Sequence, residues 1–159
     1  MKKKLVSILL ACGMLLCTSS AFAASQLVID GEAVTIPAGM GSVKDMNDRI
    51  YVPVRFLAEY LGNTVTYSDS NMVNGVKTES ATITGPTGTT YLVLRDTTQL
   101  YVLPGPNETT GGPIAMDVPA FIDDSEDRFY APIRYLAQAM GYTVEWDAET
   151  ETASITKAN

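Results

Sequence analysis

Two short segments of the chain carry apolar residues at positions i, i+3, i+4 and i+7, the spacing that buries one face of a helix. These residues are Val54, Leu57, Ala58 and Leu61 in the first segment and Ile133, Leu136, Ala137 and Met140 in the second. Pro53 and Pro132 open the segments, and proline is best tolerated at the first position of a helix. Gly62 and Gly141 follow, and glycine readily adopts the left-handed conformation that ends a helix. The pattern predicts two short amphipathic helices.

Alternation of apolar and polar residues with a period of two dominates the rest of the chain and predicts strands. Strands at 64–67 and 143–146 directly follow the two helical segments. Asp30-Gly31 and residues 85–88 supply turn chemistry between apolar runs, so each predicts a hairpin. Residues 104–113 are rich in Gly, Pro and Thr and predict a loop. Two short helices among nine or ten strands indicate an α+β fold, with antiparallel sheets packed on the helices.

The helical segments belong to a longer internal repeat. Arg49 corresponds to Arg128 and Gly62 to Gly141, and both pairs lie 79 positions apart. Asp, Tyr, Pro, Leu, Ala, Thr and Val residues coincide at the same offset. We therefore predict a tandem strand–helix–strand repeat, with units at about 26–103 and 104–157. We expect the units to share one core, because neither alone has many apolar faces to bury.

The first 23 residues have the three parts of a secretory signal peptide. A basic segment at 2–4 precedes an apolar run over 5–17, and 21–23 form a small-x-small cleavage site. The run is shorter than the roughly 20 apolar residues that span a bilayer as a helix. We therefore expect cleavage of 1–23, a domain at 24–159, and a bacterial protein that is secreted or associated with the cell envelope. A retained anchor and a lipoprotein attached through Cys12 are the alternatives.

Removal of the signal changes the charge and the available chemistry. Three of the 11 basic residues are Lys2, Lys3 and Lys4, which are removed with the signal peptide. The mature chain then has 8 basic and 18 acidic residues, a formal charge of −10. This excess of acid argues against nucleic acid and anionic membrane surfaces as partners. Cys12 and Cys17 leave as well, and the chain contains no histidine. A thiol nucleophile, a histidine base and a His or Cys metal site are excluded, and we predict no cofactor.

The repeated motif covers 49–67 in the first unit and 128–147 in the second. In each unit a strand that begins with arginine leads to a proline and a short helix with an arginine in its first turn. A glycine ends the helix, and a strand with an aromatic residue near its end follows. This pattern resembles the copper amine oxidase N-terminal-like domain, or stalk domain, of secreted bacterial proteins, over most of 26–155. The resemblance implies antiparallel sheet wrapped on a helix and an extracytoplasmic accessory role. It implies no catalytic residue, and a chain without histidine cannot form a copper site of the oxidase type. The first unit departs from the pattern, because Tyr67-Ser68 stands where the second has Trp146-Asp147.

Arg55 and Arg134 lie in the first helical turns, where a cation opposes the helix dipole. We expect compensation by fixed arginine–carboxylate pairs, with Asp147 and Asp69 as partners. On this interpretation, Arg134→Ala lowers stability more than it alters ligand affinity. The alternative is an anionic or carboxylate ligand held by the arginines.

Aromatic residues offer a second candidate site. Tyr142 and Trp146, together with Tyr51, Tyr67 and Tyr130, form either a platform for a sugar or peptide or ordinary packing on the sheets. The acidic residues at 123–127 alternate as in a calcium loop but lack its glycine and terminal glutamate, so we expect a solvated turn.

These observations favour an exported, non-catalytic accessory module that binds cell-wall glycan or another extracellular protein. A small carboxylate-based secreted hydrolase and a regulator or inhibitor of a secreted enzyme are the alternatives. We expect the repeated motif to serve the fold, and specific function to lie in segments that the units do not share, at 71–77, 104–113 and 123–127. The motif residues are Arg49, Pro53, Gly62, Arg128, Pro132 and Gly141, with Asp147 at the end of the second unit's strand.

Overall fold

A computed structural model describes residues 25–73 and 75–158, so the predicted signal peptide lies outside the described residues. The elements are β1 (Gln26–Ile29), β2 (Glu32–Val34), β3 (Lys44–Met46), β4 (Arg49–Pro53), α1 (Val54–Tyr60), β5 (Thr64–Val73), β6 (Val76–Thr84), β7 (Thr90–Leu94), β8 (Gln99–Leu103), β9 (Gly112–Ala115), β10 (Phe121–Asp123), β11 (Arg128–Pro132), α2 (Ile133–Ala139), β12 (Tyr142–Asp147) and β13 (Thr152–Lys157). Two short helices among mostly antiparallel strands confirm the α+β class.

The strands form three sheets, with the orders β12-β13-β1-β2, β10-β11-β4-β3 and β5-β6-β7-β8-β9. The expectation of antiparallel pairing fails at one place, because β1 and β13 run parallel, with Leu27 opposite Ala153. Parallel neighbours need no tight turn between them, so strands from the two ends of the described chain can pair in this way. None of the helices in the described ranges is long and apolar enough to cross a membrane.

The middle sheet joins the two predicted units through β4 and β11. Val52 pairs with Ala131, while Tyr51 pairs with Pro132 and Pro53 with Tyr130. Val52 and Ala131 are equivalent positions at the offset of 79, so the register maps onto itself under a local two-fold rotation. Antiparallel pairing in this register places the start of each strand beside the helix that follows the other strand.

The two helices bury the faces that the apolar spacing predicts. Leu57 and Leu136 are fully buried. Leu61 and Met140, the last apolar positions of the two helical patterns, are only partly buried. Pro53 and Pro132 are N-caps rather than first helical residues. The prediction is wrong by one position because both prolines also end a strand that pairs in the middle sheet. Gly62, at φ +82°, and its counterpart Gly141, at +85°, have the left-handed conformation expected of helix stops.

One cluster of buried residues contains apolar side chains from both predicted units and both helices, which agrees with the expectation of a shared core. Beside it, Tyr51 and Tyr130 are buried in the middle sheet around Phe121, with ring centroids 5.2 and 5.3 Å from that ring. These two tyrosines therefore serve packing and form no exposed platform.

Three segments differ from their predicted form. Residues 112–115 form β9, which pairs with β8 as an edge strand, so the strand begins inside the loop that was expected at 104–113. An edge position tolerates Pro113, which has no N–H to donate. Residues 71–73 and 76–78 extend the β5–β6 hairpin beyond a register shift between Ser68 and Asn71. The described strands number thirteen rather than nine or ten. The sequence did not show β3 and β10, which have only three residues each and are too short for a clear alternation.

Candidate functional site

The exposed tryptophan of β12 stands at a groove of about 300 Å³ between the two units. We call this the Trp146 groove. Its lining includes Asp48, Arg49 and Ile50 of the first unit and Arg134, Val144 and Trp146 of the second. Its volume is at the lower end of the range for small-molecule sites. The self-symmetric register of β4 and β11 creates the groove, because it brings the start of β4 to the start of α2.

Arg49 forms the rim of this groove and is firmly anchored. Its Nε donates to the Asp117 carboxylate over 2.7 Å, and its Nη1 donates to the Asp48 carbonyl oxygen over 2.7 Å. The guanidinium of Arg49 holds the pKa of Asp117 below its usual range. Arg49 therefore orients the β3–β4 turn, which is consistent with a structural role for this motif residue.

The structure contradicts the expected pairing of Arg134 with Asp147. The carboxylate of Asp147 accepts hydrogen bonds from the backbone N–H groups of Glu149, at 2.9 Å, and Thr150, at 3.3 Å. These bonds lower the pKa of Asp147 and close the β12–β13 turn. Among the described residues, no carboxylate oxygen lies within 4.0 Å of the guanidinium of Arg134. Arg134 is exposed, so its donors are available to a ligand.

The two predicted aromatic candidates occupy different environments. Trp146 is 39% exposed and lines the groove together with Val144, which points from the same face of β12. Tyr142 is half-buried and packs against the core, outside the groove lining. The structure therefore unites Trp146 with Arg134 and separates Tyr142 from both.

A second groove, of about 850 Å³, occupies the two-fold equivalent place, and we call it the Tyr67 groove. Its lining includes Asp127, Arg128 and Phe129 of the second unit and Arg55, Tyr67 and Ser68 of the first. Arg128 donates to the carbonyl oxygens of Asp127, at 2.8 Å, and Gly39, at 2.5 Å, and so anchors this rim as Arg49 anchors the other.

Arg55 has two partners, neither of which is the expected Asp69. Its Nε lies 3.8 Å from a Glu59 oxygen, one helical turn away, and its guanidinium lies 4.9 Å from the ring centroid of Tyr67. Tyr67 in turn stacks on Phe129, with centroids 6.2 Å apart. Partial burial raises the pKa of the Tyr67 hydroxyl. The prediction of an Arg55–Asp69 pair is wrong because the helix itself supplies an acid at i+4.

The acidic turn at 123–127 is not simply solvated. Lys44 Nζ lies 2.7 Å from both the Asp123 and the Glu126 carboxylates and 4.8 Å from the centroid of the Tyr130 ring. The Lys44 ammonium lowers the pKa of both carboxyl groups. The turn thus ties β10 to β3, at opposite edges of the middle sheet. No group of His, Cys, Asp or Glu side chains in the described ranges is arranged to hold a metal ion.

The loop before β9 is also fixed by a carboxylate. Glu108 accepts hydrogen bonds from the hydroxyls of Thr89, at 2.6 Å, and Thr87, at 3.1 Å, and from the Gly105 N–H, at 3.1 Å. These bonds lower the pKa of Glu108. The unshared segments around Glu108 and Asp123 are therefore held by internal contacts, whereas the two grooves lie among repeated positions.

A sequence model of the copper amine oxidase N-terminal domain family matches residues 28–155, which is most of the chain. The chain belongs to this family. The resemblance drawn from the repeated motif is thereby confirmed. Searches of curated proteins and of solved structures found no match.

The copper amine oxidase N-terminal domain family consists of non-catalytic accessory domains. The carboxyl groups of this member agree with that character. Every described carboxyl group with a shifted pKa is shifted downward, because each accepts hydrogen bonds in its charged form. They are Glu108, Asp117, Asp123, Glu126 and Asp147.

Sequence reasoning missed two features of the Trp146 groove. Asp48 and Ile50 line the groove because β4 pairs with β11, and no local sequence pattern predicts that pairing. The exposure of Arg134 did have a signal. Glu59, the helical partner of Arg55, is replaced by Gln138 in the second unit, so Arg134 has no acid at i+4.

Proposed function

We propose that the chain is an exported, non-catalytic accessory module of the bacterial cell envelope that binds a glycan in the Trp146 groove. The observation that carries the proposal is the juxtaposition of an exposed tryptophan with an arginine that has no described carboxylate partner. We also infer that the two halves derive from one duplicated strand–helix–strand unit, and that residues 1–23 direct export.

A glycan suits the chemistry of this groove. A pyranose ring has an apolar face that packs on a flat aromatic ring and a rim of hydroxyls that exchange hydrogen bonds. Trp146 and Val144 supply the apolar surface, Arg134 supplies donors, and Asp48 supplies acceptors. The lining therefore combines the apolar and polar contacts that a sugar requires.

Charge favours a neutral glycan over a polyanion. The groove lining contains Asp45 and Asp48 beside Arg49 and Arg134, so its charges balance. The proposed mature chain carries 18 acidic and 8 basic residues, which repels an anionic polymer. A carboxylate or phosphate polymer would have to overcome this repulsion.

The hydrolase alternative receives less support. A glycosidase acid needs a raised pKa and a second carboxylate across a cleft. The lowered pKa values of Glu108, Asp117, Asp123, Glu126 and Asp147 make these five carboxyl groups poor proton donors at neutral pH. Binding is therefore the function that the geometry of the Trp146 groove supports best.

Co-sedimentation with insoluble bacterial cell-wall glycan tests the proposal. We expect residues 24–159 to sediment with the glycan. Loss of a ring stack worth about 1.5 kcal/mol in Trp146→Ala should weaken binding about tenfold. Tyr60→Ala is the matched control, because Tyr60 is 49% exposed and lies outside both groove linings.

Absence of binding by the unmodified chain, or equal binding by Trp146→Ala, would contradict the proposal. A parallel pull-down against secreted proteins separates the regulatory alternative. Retention of a secreted enzyme that depends on Trp146, without retention of glycan, would favour that alternative.

A further inference from the structure

We propose that the Tyr67 groove is a second glycan site, so that one chain holds two glycan strands at once. The inference rests on the proposed function of the Trp146 groove and extends it to a place that the function does not require. Its basis is the local two-fold relation between the grooves.

The two linings use the same positions exchanged between units. Each groove takes an Asp-Arg-apolar turn from one unit and a helical arginine with a strand aromatic from the other. All five positions correspond at the offset of 79 residues. The pairs are Asp48 and Asp127, Arg49 and Arg128, Ile50 and Phe129, Arg55 and Arg134, and Tyr67 and Trp146.

Each groove combines residues of both units because of the register of the middle sheet. Val52 opposite Ala131 defines a local two-fold axis perpendicular to the β4–β11 pair. Such an axis keeps both grooves on one face of the sheet and reverses the direction of whatever binds. From Arg49 to Arg55 the chain advances four strand steps of about 3.3 Å and two helical steps of about 1.5 Å, so the grooves are separated by roughly 16 Å at most.

The platforms of the two grooves differ in detail. Trp146 shares its groove lining with Ile50, whereas Tyr67 stacks on Phe129 and also has the guanidinium of Arg55 over its ring. Tyr67 is nevertheless 44% exposed, and the Arg55 side chain is 49% exposed. The exposed parts of Tyr67 and of the Arg55 guanidinium therefore offer a sugar an aromatic contact and hydrogen-bond donors.

Two antiparallel sites on one face have a mechanical consequence. A single strand that keeps its direction can match only one groove in the favoured orientation. Two neighbouring strands of opposite direction can occupy both. The chain would therefore cross-link glycan strands rather than grip one strand twice, and its apparent affinity for a multi-stranded surface would exceed that of either groove alone.

Calorimetric titration with chitotriose, a neutral trisaccharide, tests this inference. We expect two bound trisaccharides per chain for the unmodified protein and for Tyr60→Ala. Trp146→Ala and Tyr67→Ala should each keep one site at the unmodified affinity and weaken the other about tenfold, and the double variant should have both sites weakened. Arg55→Ala, at an exposed helical position, should weaken the same site as Tyr67→Ala and covers the case in which loss of Tyr67 disturbs the fold.

The outcomes separate the two claims. One trisaccharide per chain, bound about tenfold more weakly by Trp146→Ala and unaffected by Tyr67→Ala and Arg55→Ala, would overturn the second site and leave the proposed function standing. Absence of binding by the unmodified protein would overturn the proposed function itself. Light scattering with soluble glycol chitin adds an independent readout, because only a two-site chain should cross-link the polymer.

Discussion

Substitution of Leu57 by alanine tests whether the two halves of the chain unfold as one body. Leu57 lies in α1 of the first predicted unit, is fully buried, and belongs to the cluster that also contains Leu136 of α2. Removal of its side chain leaves a cavity against both units. We therefore expect the whole domain to lose stability, including parts far from residue 57.

The expected loss follows from the burial. A leucine-to-alanine change at a fully buried site costs about 2 to 5 kcal/mol, and about 3 kcal/mol is a reasonable midpoint. A domain of about 135 residues has an unfolding entropy near 0.3 kcal/mol/K at its midpoint, from about 2.1 cal/mol/K per residue. The melting temperature should therefore fall by about 10 °C.

Thermal unfolding followed by two probes provides the assay. Far-ultraviolet circular dichroism reports on the strands of the whole chain. Fluorescence reports on Trp146, the chain's one tryptophan, which lies in β12 of the second unit. In Leu57→Ala both transitions should shift together. Leu103→Ala, the same change at a residue that is 52% exposed, is the control and should melt within a few degrees of the unmodified protein.

Separate transitions would refute the reasoning. If fluorescence of Trp146 melted at the unmodified temperature while circular dichroism lost part of its signal earlier, the units would be two lobes with separate cores. A shift of less than about 3 °C in both probes would show that Leu57 is not packed as described.

Three further changes have defined outcomes. Gly41→Ala should lower stability by about 1 to 3 kcal/mol in chemical denaturation, because its Cβ would fall 2.5 Å from the Tyr130 hydroxyl oxygen at a φ of +94°. Gly31→Ala, at φ +86° with open space around it, should cost less, and equal losses would contradict the steric argument. Lys44→Met should lower the melting temperature at pH 7 by a few degrees. Its partners Asp123 and Glu126 have lowered pKa values in the folded state, so their ion pairs with Lys44 stabilise the fold above about pH 4 and less as the pH falls. If the melting temperature of Lys44→Met stayed below that of the unmodified protein by the same amount down to about pH 2, these ion pairs would not be the cause. Arg134→Ala should melt within about 2 °C of the unmodified protein, because Arg134 is exposed. The variant should bind glycan more weakly. A fall of many degrees in its melting temperature would instead support the structural arginine–carboxylate pair that the sequence predicted.

Local chemistry made much of the fold predictable. The apolar spacing around Leu57 and Leu136 marks the helices because burial of one face is a property of consecutive turns. Gly62 marks a helix stop because its conformation is unfavourable for other residues. Asp30-Gly31 marks the first hairpin, and both residues indeed have positive φ. In each case the determining contacts lie within a few residues of one another.

Pairing between distant segments was less predictable. Two strand pairs, β1 with β13 and β8 with β9, depend on which strand edges still lack a hydrogen-bonding partner after the hairpins form. The self-symmetric register of β4 with β11 depends on partners 79 residues apart. Alternation alone specifies which side of a strand is apolar and leaves its neighbour open.

The candidate site depends on that long-range register. Arg134 and Trp146 were recognisable as candidates from their positions in the second unit. Their partners Asp48 and Ile50 were not, because they come from the other unit. The expectation that function lies in unshared segments is not supported by the contacts of Lys44 and Glu108, which hold two of those segments in place.

Backbone amide chemical-shift mapping of residues 24–159 during titration with chitohexaose tests the central claim most directly. If the Trp146 groove binds glycan, the largest shifts should fall at 48–50, 133–135 and 144–146, and Trp146→Ala should need about ten times more sugar to reach the same saturation. Shifts confined to 71–77 or 104–111, or no shifts at saturating sugar, would contradict glycan binding at this groove.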